Sequence, residues 1–315
     1  EIRREQFEQF LFEGQWQKLK AKARERGVQL FGDMPIYVSL DSVEVWANPE
    51  LFKLNEDLEP EWVAGVPPDY FSETGQLWGM PIFAWERHVD TDFRWWIARV
   101  KRNLHFFDVL RLDHFRAFAD FWEVPAGEKT AIHGRWTQGP GQALFDALRE
   151  ALGELPLVAE DLGDIDEAVY TLRDQNQLPG MRVLQFAFSP NLPHNLHIPH
   201  QFTPQSVAYT GTHDNNTLKG WYEHELDEAG KQRLEAYLGK GLDPDTLPWE
   251  LIRELYRSVA ETAIVPMQDL LGLGQQAMMN KPGTAKGNWR WRMASWPPPQ
   301  EVTERLQQLV RMFGR

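Results

Sequence analysis

Three acidic residues close apolar runs along this chain. They are Asp113 in Arg111-Leu112-Asp113-His114, Glu160 in Val158-Ala159-Glu160-Asp161, and Asp214 in Gly211-Thr212-His213-Asp214-Asn215. At the C-terminal tips of parallel strands, the three would converge on the face where α/β barrels carry their chemistry. Period two puts Arg111 and Asp113 on one side of their strand. A guanidinium there would hold the carboxylate ionised and oriented, as a nucleophile at neutral pH requires. Glu160 follows apolar residues, an environment that favours the protonated form and hence a general acid. Two carboxyls in different protonation states suit retaining cleavage or transfer at a glycosidic bond.

Other readings of the same residues stay open. A strand-end Asp commonly caps a turn or a helix, and Asp161, Asp164 and Asp166 read as caps or surface acids. The pairs His213-Asp214 and Asp113-His114 offer imidazole and carboxylate to a metal, but no His-rich ligand spacing accompanies them, and no metal is expected. His194, His197 and His200 fall in a Pro-rich stretch and read as exposed.

The elements that must position these groups follow from periodicity. Helix is expected over 5–27, 91–104 with Asp90 or Thr91 as cap, 141–152, 165–177 capped by Asp164, 217–238, 248–262 and 301–312. Strands are expected over 28–33, 107–113, 156–160, 181–188, 206–212 and 263–269. Such alternation gives parallel strands joined by crossover helices, the α/β class. The segment 34–82, rich in Pro, Gly, Trp and acids, lacks sustained periodicity and reads as an ordered excursion. No repeat or low-complexity linker divides the 315 residues, so one domain (1–315) with an insertion (34–85) is expected.

Composition narrows the partners. Thirty-three Lys and Arg against 46 Asp and Glu leave a net charge of −13, which disfavours nucleic acid as a partner. Mean hydropathy is −0.50, and no apolar run approaches the roughly 18 residues of a membrane helix, so no membrane partner is expected. The chain has no cysteine, which excludes thiolate chemistry and suits the cytoplasm. Glu1-Ile2-Arg3-Arg4-Glu5 is unlike a secretory leader. The 14 tryptophans fit either core filling or stacking on sugar rings.

The motifs together resemble those of the amylomaltases, or 4-α-glucanotransferases, of the α-amylase clan. The resemblance is carried by Arg111-Leu112-Asp113-His114-Phe115-Arg116, Val158-Ala159-Glu160-Asp161-Leu162-Gly163 and Gly211-Thr212-His213-Asp214-Asn215, with their spacing. Further matches are Gly65-Val66-Pro67-Pro68-Asp69-Tyr70-Phe71-Ser72 through Gly75-Gln76-Leu77-Trp78-Gly79, Gly32-Asp33-Met34-Pro35-Ile36-Tyr37-Val38, and Asn288-Trp289-Arg290-Trp291-Arg292-Met293. It spans nearly the whole chain.

By that resemblance, Asp113 is the nucleophile, Glu160 the general acid/base and Asp214 a third carboxylate binding sugar hydroxyls. His213 and Arg111 would stabilise the transition state, and Asp33 is a further acid at the site. Tyr70 and Trp78 would stand on an acceptor-side loop, although Trp78 could equally be core. The implied fold is a (β/α)8 TIM-type barrel of which strands three to eight are present, with the aromatic-rich insertion after the first of them. The implied activity transfers α-1,4-glucan segments among maltooligosaccharides and glucose without a cofactor. A retaining α-glucan hydrolase, or a non-catalytic glucan-binding remnant, would use the same residues. The family's first two βα units are not in this sequence, so the expectation includes an N-terminal fragment as partner, or self-association through open sheet edges.

Overall fold

The computed structural model describes residues 1–68, 72–284 and 286–315. The chain divides into two compact units, Glu1–Pro179 and Gly180–Arg315. The expected Tyr70 contact lies outside the described residues.

Among the described residues, the first unit contains strands β1 (Phe31–Met34), β2 (Trp62–Val66), β3 (Gln76–Pro81), β4 (Val109–Leu112), β5 (Asp120–Pro125), β6 (Arg135–Gln138) and β7 (Leu157–Ala159). Its helices are α1 (Ile2–Glu25), α2 (Val43–Ala47), α3 (Trp85–Val89), α4 (Arg94–Phe106), α5 (Gln142–Leu152) and α6 (Glu167–Gln175). The second unit contains β8 (Gly180–Val183), β9 (Ser206–Tyr209) and β10 (Thr262–Ile264), with α7 (Leu218–His224), α8 (Glu228–Leu238), α9 (Leu247–Arg257), α10 (Met267–Leu270) and α11 (Gln300–Phe313).

The six expected strands are present, in two parallel three-stranded sheets. In the first unit β4 lies between β1 and β7, with Asp33 opposite Arg111 and Leu112 opposite Ala159. In the second, β9 lies between β8 and β10, and Ala208 faces both Arg182 and Ala263. Both sheets are open at their edges among the described residues. The α/β class therefore holds, as parallel strands alternating with helices.

In the segment that reads as an irregular excursion, β2 and β3 form an antiparallel sheet with β5 and β6, which lie beyond it, in the order β3-β2-β5-β6. Its register shifts between Val63 and Gly65. Its centre is a buried charge cluster, in which Glu123 on β5 accepts from Lys53 at 2.6 Å, Arg135 at 2.8 Å and Thr137 at 3.0 Å. A carboxylate with no solvent exposure is tolerated only with such complete pairing.

Several helix boundaries differ from the periodic reading. The stretch 217–238 is two helices, because Asp227 caps α8 by accepting from the Gly230 N–H at 2.6 Å. Helix α6 is capped by Asp166, not Asp164, and Asp166 accepts from the N–H groups of Ala168 and Val169. Helix α4 begins after Phe93, whose φ is 54°, and neither Asp90 nor Thr91 caps it. The Thr91 hydroxyl instead donates to the carbonyls of Arg87 and His88 in the preceding turn.

Each unit has its own core. Leu110 and Leu112 of β4 join Trp96, Phe115, Phe118 and Phe145 in the first. Ala208 of β9 packs with Leu218, Trp221, Leu251, Ile252 and Leu255 in the second. Some tryptophans fill the core and others lie on the surface. Trp96 is fully buried and stacks on Trp85 at 5.6 Å, whereas Trp46, Trp289 and Trp296 are exposed. No helix among the described residues is long and apolar enough to cross a membrane.

Candidate active site

In the first unit, β1, β4 and β7 end side by side, and their terminal residues form a charged cluster. Asp33 sits within β1, and its close seat against β4 depends on Gly32, where a Cβ would come within 2.2 Å of the Phe107 ring. Arg111, on β4, is buried and forked. One guanidinium nitrogen donates to both carboxylate oxygens of Asp33 at 2.7 and 2.8 Å. The other lies 2.8 Å from Asp113 Oδ1. Burial alone would disfavour the guanidinium charge, but Asp113, Asp33 and Glu160 together outweigh it and raise the Arg111 pKa. The sequence argument from period two and the ion pair agree.

Glu160 follows β7 and is buried. Its Oε2 accepts from the backbone N–H of His114 at 2.7 Å, and its Oε1 from that of Leu162 at 3.0 Å. The His114 backbone is left-handed, with φ at 50°, and this turn aims its N–H at the carboxyl. Burial pushes the Glu160 pKa up to about 7, and the Asp113 charge adds to the rise. Arg111 and the two N–H groups act in the opposite direction. A carboxyl titrating there can give a proton at neutral pH and take one back, whereas one at the ordinary value cannot.

Beside Asp113 opens a cavity of about 410 Å³ lined by Tyr37, Leu77, Trp78, Met80 and His114 among others. Trp78, on β3, meets the His114 ring edge-on at 4.8 Å and Tyr37 at 6.2 Å. Its indole N–H donates to Gln76 Oε1 at 3.2 Å. It is half-buried, packs against the core of the first unit and lines the cavity. The His114 imidazole is held neutral, its pKa lowered to about 4 by burial and by the Arg116 charge. An aromatic wall next to a carboxylate suits a pyranose ring, whose C–H faces stack while its hydroxyls are hydrogen-bonded.

In the second unit, the loop after β9 carries His213 and Asp214. Asp214 Oδ1 accepts from the Asn280 side chain at 2.6 Å, and its Oδ2 lies 3.3 Å from His213 Nε2. The Asn280 backbone N–H donates to the His213 carbonyl at 3.1 Å. The His213 ring lies 5.3 Å from that of the exposed Trp289. Imidazole, carboxylate and indole thus gather on one face of this unit.

The structure brings Asp33, Arg111, Asp113, Glu160 and Trp78 together in the first unit, and His213 and Asp214 together in the second. Among the acids read as caps, Asp161 is instead buried and paired with Arg173 at 2.5 Å. His197 is not a free surface ring, since its Nδ1 accepts from the Val183 N–H at 3.1 Å. The sequence reading did not single out the backbone donors at His114 and Leu162, which have no side-chain signature. It also passed over Asn280, which lies far along the chain from the acid it holds. Among the described residues no three His, Asp or Glu side chains are grouped as metal ligands.

The description of the 4-alpha-glucanotransferase family, glycoside hydrolase family 77, matches residues 1–297. The chain is 49% identical over 309 residues to the 4-alpha-glucanotransferase of Aquifex aeolicus, covering 98% of this chain and 63% of that protein. With the chloroplastic/amyloplastic 4-alpha-glucanotransferase of Arabidopsis thaliana it shares 46% identity, over 98% of this chain and 53% of the plant protein. An amylomaltase from Streptococcus agalactiae, solved in complex with acarbose, superimposes with a TM-score of 0.93 at 43% identity, over 98% of this chain and 62% of that one. The chain therefore spans between about half and two thirds of the length of these relatives. By the match of nearly all its residues, the chain belongs to the 4-alpha-glucanotransferase family.

Proposed function

We propose that this chain carries the catalytic groups of a 4-α-glucanotransferase that works by double displacement. Asp113 attacks the anomeric carbon of an α-1,4-glucan while Glu160 protonates the departing 4-oxygen. A β-linked glycosyl–Asp113 ester forms and the shortened glucan leaves. Glu160, now ionised, removes the proton from the 4-hydroxyl of a maltooligosaccharide or glucose acceptor. That oxygen displaces Asp113 and restores an α-1,4 bond. The bond energy is kept in the ester, so the reaction needs no cofactor. Arg111 orients Asp113 and, with Asp33, fixes the charge around it. His213 and Asp214 bind hydroxyls of the donor glucan, and Trp78 forms the acceptor-side wall.

One observation carries this reading most strongly: a buried carboxyl with its pKa raised to about 7 shares the Arg111 cluster with a second, ion-paired carboxyl. Burial favours the protonated form of Glu160 while the Arg111 guanidinium sits on the Asp113 carboxylate, the asymmetry that an acid/base and a nucleophile need. The aromatic cavity beside Asp113 favours transfer over hydrolysis, because a sugar seated there excludes water. For the fold we infer strands three to eight of a (β/α)8 barrel, supported by two parallel sheets whose strands run in chain order. The cysteine-free composition suits a reducing compartment such as the cytoplasm.

The test is incubation of the full-length protein with maltotriose. Transfer yields glucose together with maltooligosaccharides longer than the substrate. A product set of glucose and maltose alone identifies a hydrolase, and no change in maltotriose overturns both.

A further inference from the structure

Asp269, on α10, has no part in the chemistry above, yet it is 1% exposed and its side chain points at the loop that bears Asp214. Its Oδ2 accepts from the Thr210 hydroxyl at 2.7 Å, and its Oδ1 from the Leu218 backbone N–H at 2.8 Å. Thr210 follows directly on β9 and Leu218 is the first residue of α7. One carboxylate therefore closes both ends of the segment 210–218, at whose centre His213 and Asp214 lie.

The middle of the segment is held as well. The Gln185 side chain donates to the Asn216 carbonyl at 2.7 Å, and Thr212 donates twice to Asn215 Oδ1, from its backbone N–H and its hydroxyl, both at 2.9 Å. Gly211 allows the approach of Gln185, whose amide nitrogen would lie 2.6 Å from a Cβ there. Burial of a carboxylate is expensive unless its oxygens are hydrogen-bonded. Here burial raises the Asp269 pKa to about 6, with Thr210 and Leu218 opposing the rise. No cation pairs with Asp269 among the ion pairs of the described residues. An acid placed at that cost, with both oxygens given to the two ends of one loop, sets where the loop stands.

We propose that Asp269 is a positioning residue for Asp214, acting by fixing both ends of the loop 210–218. The proposal rests on the reading of Asp214 as a sugar-binding carboxylate. Contacts that tighten as the donor sugar distorts require their carboxylate to be placed to within a fraction of an ångström. Loosening the loop should therefore lower kcat more than it raises KM.

The experiment measures maltotriose disproportionation by the full-length protein, with thermal melting of every variant. Asp269→Ala removes both anchors and is expected to lower kcat at least tenfold, with KM changed less than threefold. Asp269→Asn is expected to recover most of that loss, because its amide oxygen can accept from Leu218 while its NH2 donates to the Thr210 hydroxyl. Thr210→Val removes one anchor and is expected to lower kcat three- to tenfold; this variant decides the question if Asp269→Ala does not fold. A Thr210→Val or Asp269→Ala protein that melts early but turns over at the wild-type rate would overturn the proposal. So would an Asp269→Asn protein as slow as Asp269→Ala. Asp214→Asn is measured alongside. Wild-type turnover in that variant would overturn the reading of Asp214 itself, whereas a dead Asp214→Asn beside a fully active Asp269→Ala would overturn the positioning role alone.

Discussion

The backbone N–H of His114 donates to Glu160 Oε2 at 2.7 Å, so the residue after the proposed nucleophile holds the proposed acid/base. This bond ties the tip of β4 to the end of β7, and Arg111 ties β4 to β1 through Asp33. The cluster is thereby built from three neighbouring strand ends. Its spacing comes from the parallel ladder, and its charge arrangement from one buried guanidinium among three carboxyls. The predictions below each disturb one part of it.

Glu160→Gln removes the proton donor but leaves Asp113 and its ion pair. On maltotriose, turnover should fall by about 10²- to 10⁴-fold, the usual worth of general acid catalysis. On an α-glucosyl fluoride, whose leaving group needs no proton, release of fluoride in the first step should be largely spared. Steady-state rates on both donors check this, and equal loss on the two would refute the acid/base role.

The raised pKa of Glu160 also predicts a pH-dependent stability. The folded state holds this proton up to about pH 7, while the unfolded chain releases it near the ordinary value of 4.5. Between those values the folded state binds more protons, so the Glu160 contribution to stability falls as pH rises from about 4.5 to about 7, and stays low above. Glu160→Gln cannot ionise and escapes this loss, which is on the order of 3 kcal/mol. The melting temperature of the variant relative to wild type should therefore be higher at pH 8 than at pH 5. Melting curves at the two pH values, with buffers matched in ionic strength, check the sign.

Arg111→Lys keeps the positive charge but not the fork. A single ammonium cannot hold Asp33 and Asp113 in the same planar geometry, and its shorter reach leaves one carboxylate unmatched. Turnover should fall about a hundredfold, as expected for a misplaced reacting group. Wild-type kinetics in this variant would show that the fork does not orient Asp113.

Trp78→Ala removes the wall of the cavity beside Asp113. If the indole seats the acceptor, the ratio of hydrolysis to transfer on maltotriose should rise severalfold. Trp78 is only half-buried, so the stability loss should stay below the roughly 3–5 kcal/mol of a core tryptophan. Product ratios by chromatography, together with a melting curve, separate the roles. A large drop in melting temperature at an unchanged ratio would mark Trp78 as core.

Much of this was legible in the residues because the signals were local. An apolar run closing on an acid marked Asp113, Glu160 and Asp214, the family resemblance added Asp33, and period two placed Arg111 beside Asp113. Asp269 carries the same signal at the end of the run expected to be strand, but there β10 stops at Ile264 and the acid falls on a helical turn. The antiparallel sheet was not legible. Strand β2 pairs with β5, far along the chain, and its pairing with β3 carries a register shift, with glycine in both of those short strands, so neither alternation nor a turn signal announces the sheet. The break between α7 and α8 was announced by Asp227 as a cap, but the apolar period runs on across it. Backbone donors such as His114 and Leu162 depend on φ and ψ at a turn, which residue types alone do not specify.

The central claim is that Asp113 forms the glycosyl ester, and trapping tests it most directly. The full-length protein would be incubated with a fluorosugar fluoride donor that forms the intermediate quickly and releases it slowly, then digested and analysed by mass spectrometry. The account predicts one added glycosyl group on the peptide containing Asp113, and none in Asp113→Asn. An adduct on another residue, or turnover of natural glucans undiminished in Asp113→Asn, would contradict it.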